Sequence, residues 1–194
     1  IEIIDNVKKE KHYLHVLLKQ LRIHQWSKNL LVFVPALASH KLLSSIVFMN
    51  ATKAFLAFSF MASSIYILND IVDLDHDRKH PKKKTRPVAA GDLSILSAYV
   101  YMAICFFIGV FLSYSLGPTF LMVVSIYAIL NLFYSFYFKK IIILDITILM
   151  SFYAIRLIAG HIPDLIPLSP WLLSFSIFLF FSLGLLKRYV DTIV

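Results

Sequence analysis

Residues 93–138 read LSILSAYVYMAICFFIGVFLSYSLGPTFLMVVSIYAILNLFYSFYF, 46 residues without one Asp, Glu, Lys or Arg. A soluble domain needs charge on every exposed face, so this stretch alone excludes one. About 20 apolar residues at 1.5 Å each cross a bilayer, and Gly117-Pro118 interrupts the run near its middle. The stretch therefore predicts two membrane-spanning helices joined by a tight turn. The rest of the 194 residues agrees: 59% are hydrophobic and 15% charged, with mean hydropathy +0.78. Cys105 is the single cysteine and lies inside the apolar run, which excludes an intrachain disulfide framework and a cysteine-based metal cluster.

With these two, at about 94–116 and 118–138, apolar stretches over about 52–70, 144–161 and 168–186 read as spans. Another is expected from Trp26 to about Phe48, although Pro35 breaks it and Lys41 interrupts it; one short span followed by an interfacial helix is the alternative. Six spans put residues 1–28, 71–92, 139–143 and 187–194 on one side. That side holds sixteen of the nineteen Lys and Arg, the positive-inside signature of a cytoplasmic face. Residues 1–25 are basic, with Leu14, Leu17, Leu18 and Leu21 at helical spacing, as suits a helix on the membrane surface. The fold expected is an all-α polytopic bundle, a single membrane-embedded domain over 1–194 with a catalytic loop at 71–92.

Ten of the eleven acids lie on or beside the same cytoplasmic side, which the rule for basic residues does not explain. They are densest at Asn69-Asp70-x-x-Asp73-x-Asp75-x-Asp77-Arg78. At 100° per residue Asn69, Asp73 and Asp77 stack on one helical face, with Asp70 beside them and Asp75 pointing away. Carboxylates crowded at a helix C-terminus repel each other and oppose the helix dipole unless a cation sits among them. Hard oxygen donors suit Mg²⁺, which commonly bridges carboxylates to substrate phosphates. The next residues, His80 to Gly91, carry Lys82, Lys83, Lys84 and Arg86. Each half has a simpler reading, a solvated helix end or a basic loop against anionic lipid. Adjacent, they describe a metal and phosphate site.

Arg156 stands within a span, where a charge costs several kcal/mol by order of magnitude unless it faces a cavity or a partner. It lies eleven residues after Asp145, about three helical turns, so both project to the same side. Acids crowded at one end of the bundle, rather than at midplane in several spans, argue against an ion channel or transporter. Nothing points to a nucleic-acid partner.

The motif Asn69-Asp70-x-x-Asp73-x-x-x-Asp77-Arg78, followed by Arg86-Pro87-x-x-x-Gly91, resembles the first aspartate-rich motif of the UbiA-type intramembrane prenyltransferase superfamily. The resemblance implies a nine-helix fold of which this chain would hold about six, with C-terminal helices absent. It also implies Mg²⁺ on Asn69, Asp70, Asp73 and Asp77, and a polyprenyl phosphate or diphosphate drawn from the membrane lipid. Leu21-Arg22-Ile23-His24-Gln25-Trp26-Ser27-Lys28-Asn29 resembles the branch that includes decaprenyl-phosphate phosphoribosyltransferase. Tyr134-Ser135 with Lys139, Leu144-Asp145, Arg156 to Gly160 and Lys187-Arg188-Tyr189-x-Asp191 extend the match, with Asp191 where that branch has Glu.

That branch implies transfer of 5-phosphoribosyl from phosphoribosyl pyrophosphate to a polyprenyl phosphate with loss of diphosphate. In that scheme Lys82, Lys83, Lys84 and Arg86 neutralise the diphosphate, and Lys28, Arg156 or Lys187 contacts the lipid phosphate. The alternative within the superfamily moves a polyprenyl chain from its diphosphate to an aromatic acceptor. The expected location is a bacterial inner membrane, with the active site facing the cytoplasm.

Overall fold

The computed structural model describes residues 13–138, 142–167 and 169–193, and their side chains except at 142–143, 187–188 and 191–193. It is all-helical over those residues. Five long helices form the body: α1 (Ser45–Val72), α2 (Ile95–Ser115), α3 (Pro118–Phe136), α4 (Ile142–His161) and α5 (Pro170–Ile193). The opening run forms α2 and α3 as expected, with Gly117 and Pro118 at the turn. Pro118 starts α3 because the first helical position needs no amide hydrogen-bond donor.

The chain departs from expectation before α1. Residues 26–48 are not one helix: a 3-10 helix covers Ile23–Phe33, a short α-helix Val34–Ala38 follows, and α1 begins at Ser45. Pro35 sits in the first turn of Val34–Ala38, and His40 takes a left-handed φ of 57°, so the backbone turns before Lys41 and cannot continue as one rod. Among the described residues, four helices have the length and composition to cross a membrane, with Pro170–Leu186 a shorter apolar stretch inside α5. The first of the six expected spans is thus interrupted and not one α-helix: it runs antiparallel to α1, from Arg22 beside Asp70, past Trp26 at Ser63 and Asn29 at Ser59, to Phe33 at Phe48.

α1 is the axis of the bundle. At 28 residues it is about 42 Å long, more than the roughly 30 Å hydrocarbon layer, so it is longer than a crossing needs. Lipid tails are as apolar as leucine, so spans associate through close packing rather than water exclusion. α1 accordingly turns Ala54, Ala57, Phe58, Met61 and Ala62 inward against Phe120, Val124 and Tyr127 of α3 and Phe152 and Ala159 of α4. Phe107, Phe111 and Tyr114 of α2 and Ile129 and Phe133 of α3 face outward, where the lipid would be.

The segment before α1 packs against α4 at Gly160. A Cβ there would come within 2.3 Å of the Val32 carbonyl and 3.0 Å of Pro35, so only glycine permits the approach. Ahead of it, residues 13–21 are helical, with Val16 and Gln20 buried one turn apart and Leu14 and Leu18 exposed. Residues 1–12 of the expected surface helix lie outside the described residues.

Candidate active site

The acidic motif begins on the last turn of α1. The helix breaks at Asp73 (φ −87°, ψ 11°) and resumes as Leu74–Lys79, although Asp73 N to Asn69 O and Asp77 N to Asp73 O keep the i to i−4 hydrogen-bond pattern at 2.9 and 2.8 Å. The loop then folds back. His80 Nδ1 accepts from the backbone amides of Lys82 and Lys83, a 3-10 turn covers Lys83–Thr85, and Pro87–Ala90 forms one helical turn. Gly91 ends that turn at φ 85°, a left-handed conformation that favours glycine. This path carries Arg86 back over the acidic helix end.

Arg86 is the clamp. Its Nη1 donates to Asp70 Oδ1 at 3.0 Å and to Asp77 Oδ2 at 2.5 Å. Asp70 also accepts from Arg22 Nη2 and, at 3.1 Å, from Gln20 Nε2. Lys83 Nζ lies 3.9 Å from Asp77 Oδ1. Both carboxylates are buried, and three cations offset the repulsion between them and the helix end. The cation that the crowded acids require is thus supplied in part by this chain.

Beside this clamp opens a cavity of about 550 Å³. Asn69, Asp73, Lys83 and Arg86 line one end, with Arg22, Lys28 and Tyr66 along one wall. α3 lines another wall with Tyr127, Asn131, Tyr134 and Ser135, positions i, i+4, i+7 and i+8 on one helical face. α4 closes the far end with Leu149, Phe152, Tyr153 and Arg156. Exposure falls along its length: the Lys83 and Arg86 side chains are 37% and 27% exposed, and Arg156 is 4%. The acidic end is the mouth and Arg156 is near the floor.

The expected site residues divide accordingly. Asn69, Asp73, Lys83, Arg86, Lys28, Tyr134 and Arg156 meet in one cavity. Asp70 and Asp77 do not line it; they lie behind Arg86, so the four-membered face of oxygen donors is split between the cavity and an ion-paired cluster. The break at Asp73 separates residues that an unbroken helix would stack. Lys82 and Lys84 are exposed and do not line the cavity. Asp145 accepts from Tyr134 Oη at 2.7 Å and so braces the wall from outside the cavity. Tyr189 is exposed; Lys139 lies outside the described residues, as do the side chains of Lys187, Arg188 and Asp191.

Arg22, Asn29, Tyr127 and Asn131 are functional candidates that sequence reasoning passed over. For Tyr127 and Asn131 a signal existed, since they continue the Tyr134-Ser135 stripe within an uncharged span, and polar groups there face a cavity or a partner.

The donor set decides whether Mg²⁺ fits. Among the described residues no three His, Cys, Asp or Glu side chains group as a metal cage. Asn69 and Asp73 nevertheless bring oxygen donors to the cavity mouth, and Asp77 Oδ1 is a buried oxygen with no hydrogen-bond donor on it. A site of one or two carboxylates completed by water and substrate phosphate is what Mg²⁺ uses. The residues fit a shared ion and not an all-protein one.

This chain belongs to the UbiA prenyltransferase family, whose pattern residues 30–192 match. It is 37% identical over 189 residues to the decaprenyl-phosphate phosphoribosyltransferase of Mycolicibacterium smegmatis, covering 93% of this chain and 58% of that one. It is 34% identical over 198 residues to the protein of the same name from Corynebacterium glutamicum, covering 98% and 59%. A solved UbiA homolog from Archaeoglobus fulgidus, bound to DMAPP and Mg²⁺, shares the fold with a TM-score of 0.72 at 19% identity over 86% of this chain and 60% of that one. The chain thus spans less than two thirds of the length of these relatives. Family and apolar helices together make it an integral membrane protein.

Proposed function

We propose that this chain carries the catalytic core of a Mg²⁺-dependent membrane transferase that moves 5-phosphoribosyl from phosphoribosyl pyrophosphate to a polyprenyl phosphate. One observation carries the reading. A cavity inside the bundle sets Asn69 and Asp73 beside Lys83 and Arg86 at its open end. Oxygen donors beside cations suit a diphosphate, whose outer oxygens take hydrogen bonds from arginine and lysine while its charge recruits a divalent ion. The resemblance of Leu21 to Asn29 and the two phosphoribosyltransferases at 34% and 37% identity support this branch over others.

In this reading Asn69 and Asp73 hold Mg²⁺, with Asp77 supporting the helix end they stand on. When bound, the ion draws charge from the diphosphate and makes it a better leaving group. Lys83 and Arg86 donate to the same diphosphate and stabilise the charge that develops as it departs. The acceptor is already an anion, so no strong general base is needed. An oxygen of the lipid phosphate bonds to C1 of the ribose as the bond from C1 to diphosphate breaks. The polar α3 face positions the sugar, and the covered floor excludes water that would compete with the lipid. The donor enters from the cytoplasmic side of a bacterial inner membrane.

The test incubates the purified full-length protein in detergent with Mg²⁺, ribose-labelled phosphoribosyl pyrophosphate and a polyprenyl phosphate. Label passing into the organic phase supports the reading. No transfer there, with prenylation of an aromatic acid by a polyprenyl diphosphate in a parallel tube, replaces it with the aromatic branch.

A further inference from the structure

Arg156 carries a charge that no carboxylate among the described residues pairs with. It stands in the membrane-spanning part of α4, is 4% exposed, and borders the cavity floor. Nε donates to Asn29 Oδ1 at 2.7 Å, Nη1 to the Phe152 carbonyl at 2.6 Å and Nη2 to the Tyr127 hydroxyl at 3.0 Å. All three acceptors are neutral. Among the described residues, Arg22, Lys83 and Arg86 pair with Asp70 or Asp77, and no carboxylate lies within ion-pair distance of Arg156.

A guanidinium keeps its charge and has five N–H donors. Three are engaged here, which leaves one on each terminal nitrogen. The Tyr127 ring, 4.9 Å from the guanidinium carbon, and the Phe58 ring at 5.9 Å offer cation–π attraction. That attraction reaches about 2 kcal/mol when desolvated, whereas burying an unpaired charge costs several kcal/mol. Neutral acceptors and rings can offset much of that cost, but none of them carries a negative charge, so an anion entering the cavity finds a cation with no opposite charge beside it. Two donors on adjacent nitrogens are the fork that arginine offers to a tetrahedral or planar oxyanion.

We propose that Arg156 forms a second anion subsite at the cavity floor, taking a phosphate monoester, separate from the diphosphate end at Asn69, Asp73, Lys83 and Arg86. Tyr127, beside Arg156, and Ser135, toward the mouth, are eight residues apart on α3, about 12 Å, so the two ends can be occupied together. That the anion is a phosphate rests on the transferase reading, in which donor and acceptor each bring a phosphate monoester; the unbalanced charge does not. Asn29 is held in place by its own bond from Nδ2 to Ser59 Oγ at 2.9 Å, so it orients the guanidinium and leaves the remaining fork to the ligand.

The test is calorimetric titration of the full-length protein in detergent and chelator, without Mg²⁺, using ribose 5-phosphate, geranyl phosphate and benzoate separately. Ribose 5-phosphate represents the soluble donor and geranyl phosphate the lipid. The expected result is that one of the phosphates binds, that Arg156→Gln weakens it at least tenfold, and that Arg156→Lys weakens it at least threefold by losing the fork. Whichever phosphate behaves so identifies the source. The proposal is overturned if neither phosphate binds, if both variants bind within twofold of wild type, or if benzoate alone depends on Arg156. Should Arg156→Gln fail to fold, Arg156→Lys decides on the same threefold criterion. Arg156-dependent phosphate binding without phosphoribosyl transfer would sink the transfer reading and leave this subsite standing.

Discussion

Replacing Arg86 by Met keeps an unbranched apolar stem and removes the one group that ties both buried carboxylates to the loop. Asp70 retains Arg22 and Gln20, so the loss falls on Asp77, which is fully buried and left with Lys83 at 3.9 Å. Stranding one partner of a buried ion pair costs about 3–5 kcal/mol. The half-exposed Lys83 recovers about 1 kcal/mol of that. The net loss of about 2–4 kcal/mol is roughly 30- to 700-fold in the opening of the loop, at about 1.4 kcal/mol per tenfold. Hydrogen exchange reads it directly at the amides of Arg86, Ala90 and Leu93, whose acceptors Lys83 O, Arg86 O and Pro87 O all lie within the loop. They should exchange at least tenfold faster in Arg86→Met, with mid-span amides around Phe58 unchanged. Adding Asp77→Asn should bring the loop back within about threefold of wild type, since the stranded charge is gone. Exchange within twofold of wild type in Arg86→Met, or no recovery in the double variant, refutes the clamp.

Other consequences are equally concrete. Gly160→Ala forces a methyl against the Val32 carbonyl, so α4 and the segment before α1 separate; a loss of about 1–3 kcal/mol is expected as a lower midpoint of thermal unfolding in detergent. Asp73→Ala should reduce kcat/KM for transfer by about a hundredfold or more while leaving circular dichroism unchanged, and retained turnover would remove the metal role. Tyr134→Phe deletes the bond to Asp145, and a stability loss of about 1 kcal/mol with a raised KM for the donor is expected from unfolding and kinetics run side by side.

The legible part of this molecule is what local composition decides. An uncharged run broken by Gly117-Pro118 has few ways to satisfy its backbone in lipid, so α2 and α3 followed directly. The acidic motif and its basic loop were also readable, because acids beside a span end have no topological reason to be there. What was hidden depends on contacts between distant residues. Nothing local makes Ile23–Phe33 a 3-10 helix; the segment it opens is received by α4 at Gly160, far along the chain. A helical wheel stacks Asp77 on Asp73, and the break at Asp73 with capture by Arg86 undoes that. The partners of Arg156 are Asn29 and Tyr127, which no spacing rule would have joined to it.

The central claim is a diphosphate held through a shared divalent ion at Asn69 and Asp73. Titrating diphosphate into the purified protein with and without Mg²⁺, in wild type and Asp73→Ala, measures it most directly. The account predicts binding that needs Mg²⁺ and weakens by about a hundredfold in the variant. Diphosphate that binds equally well without the ion, or equally well to Asp73→Ala, contradicts it.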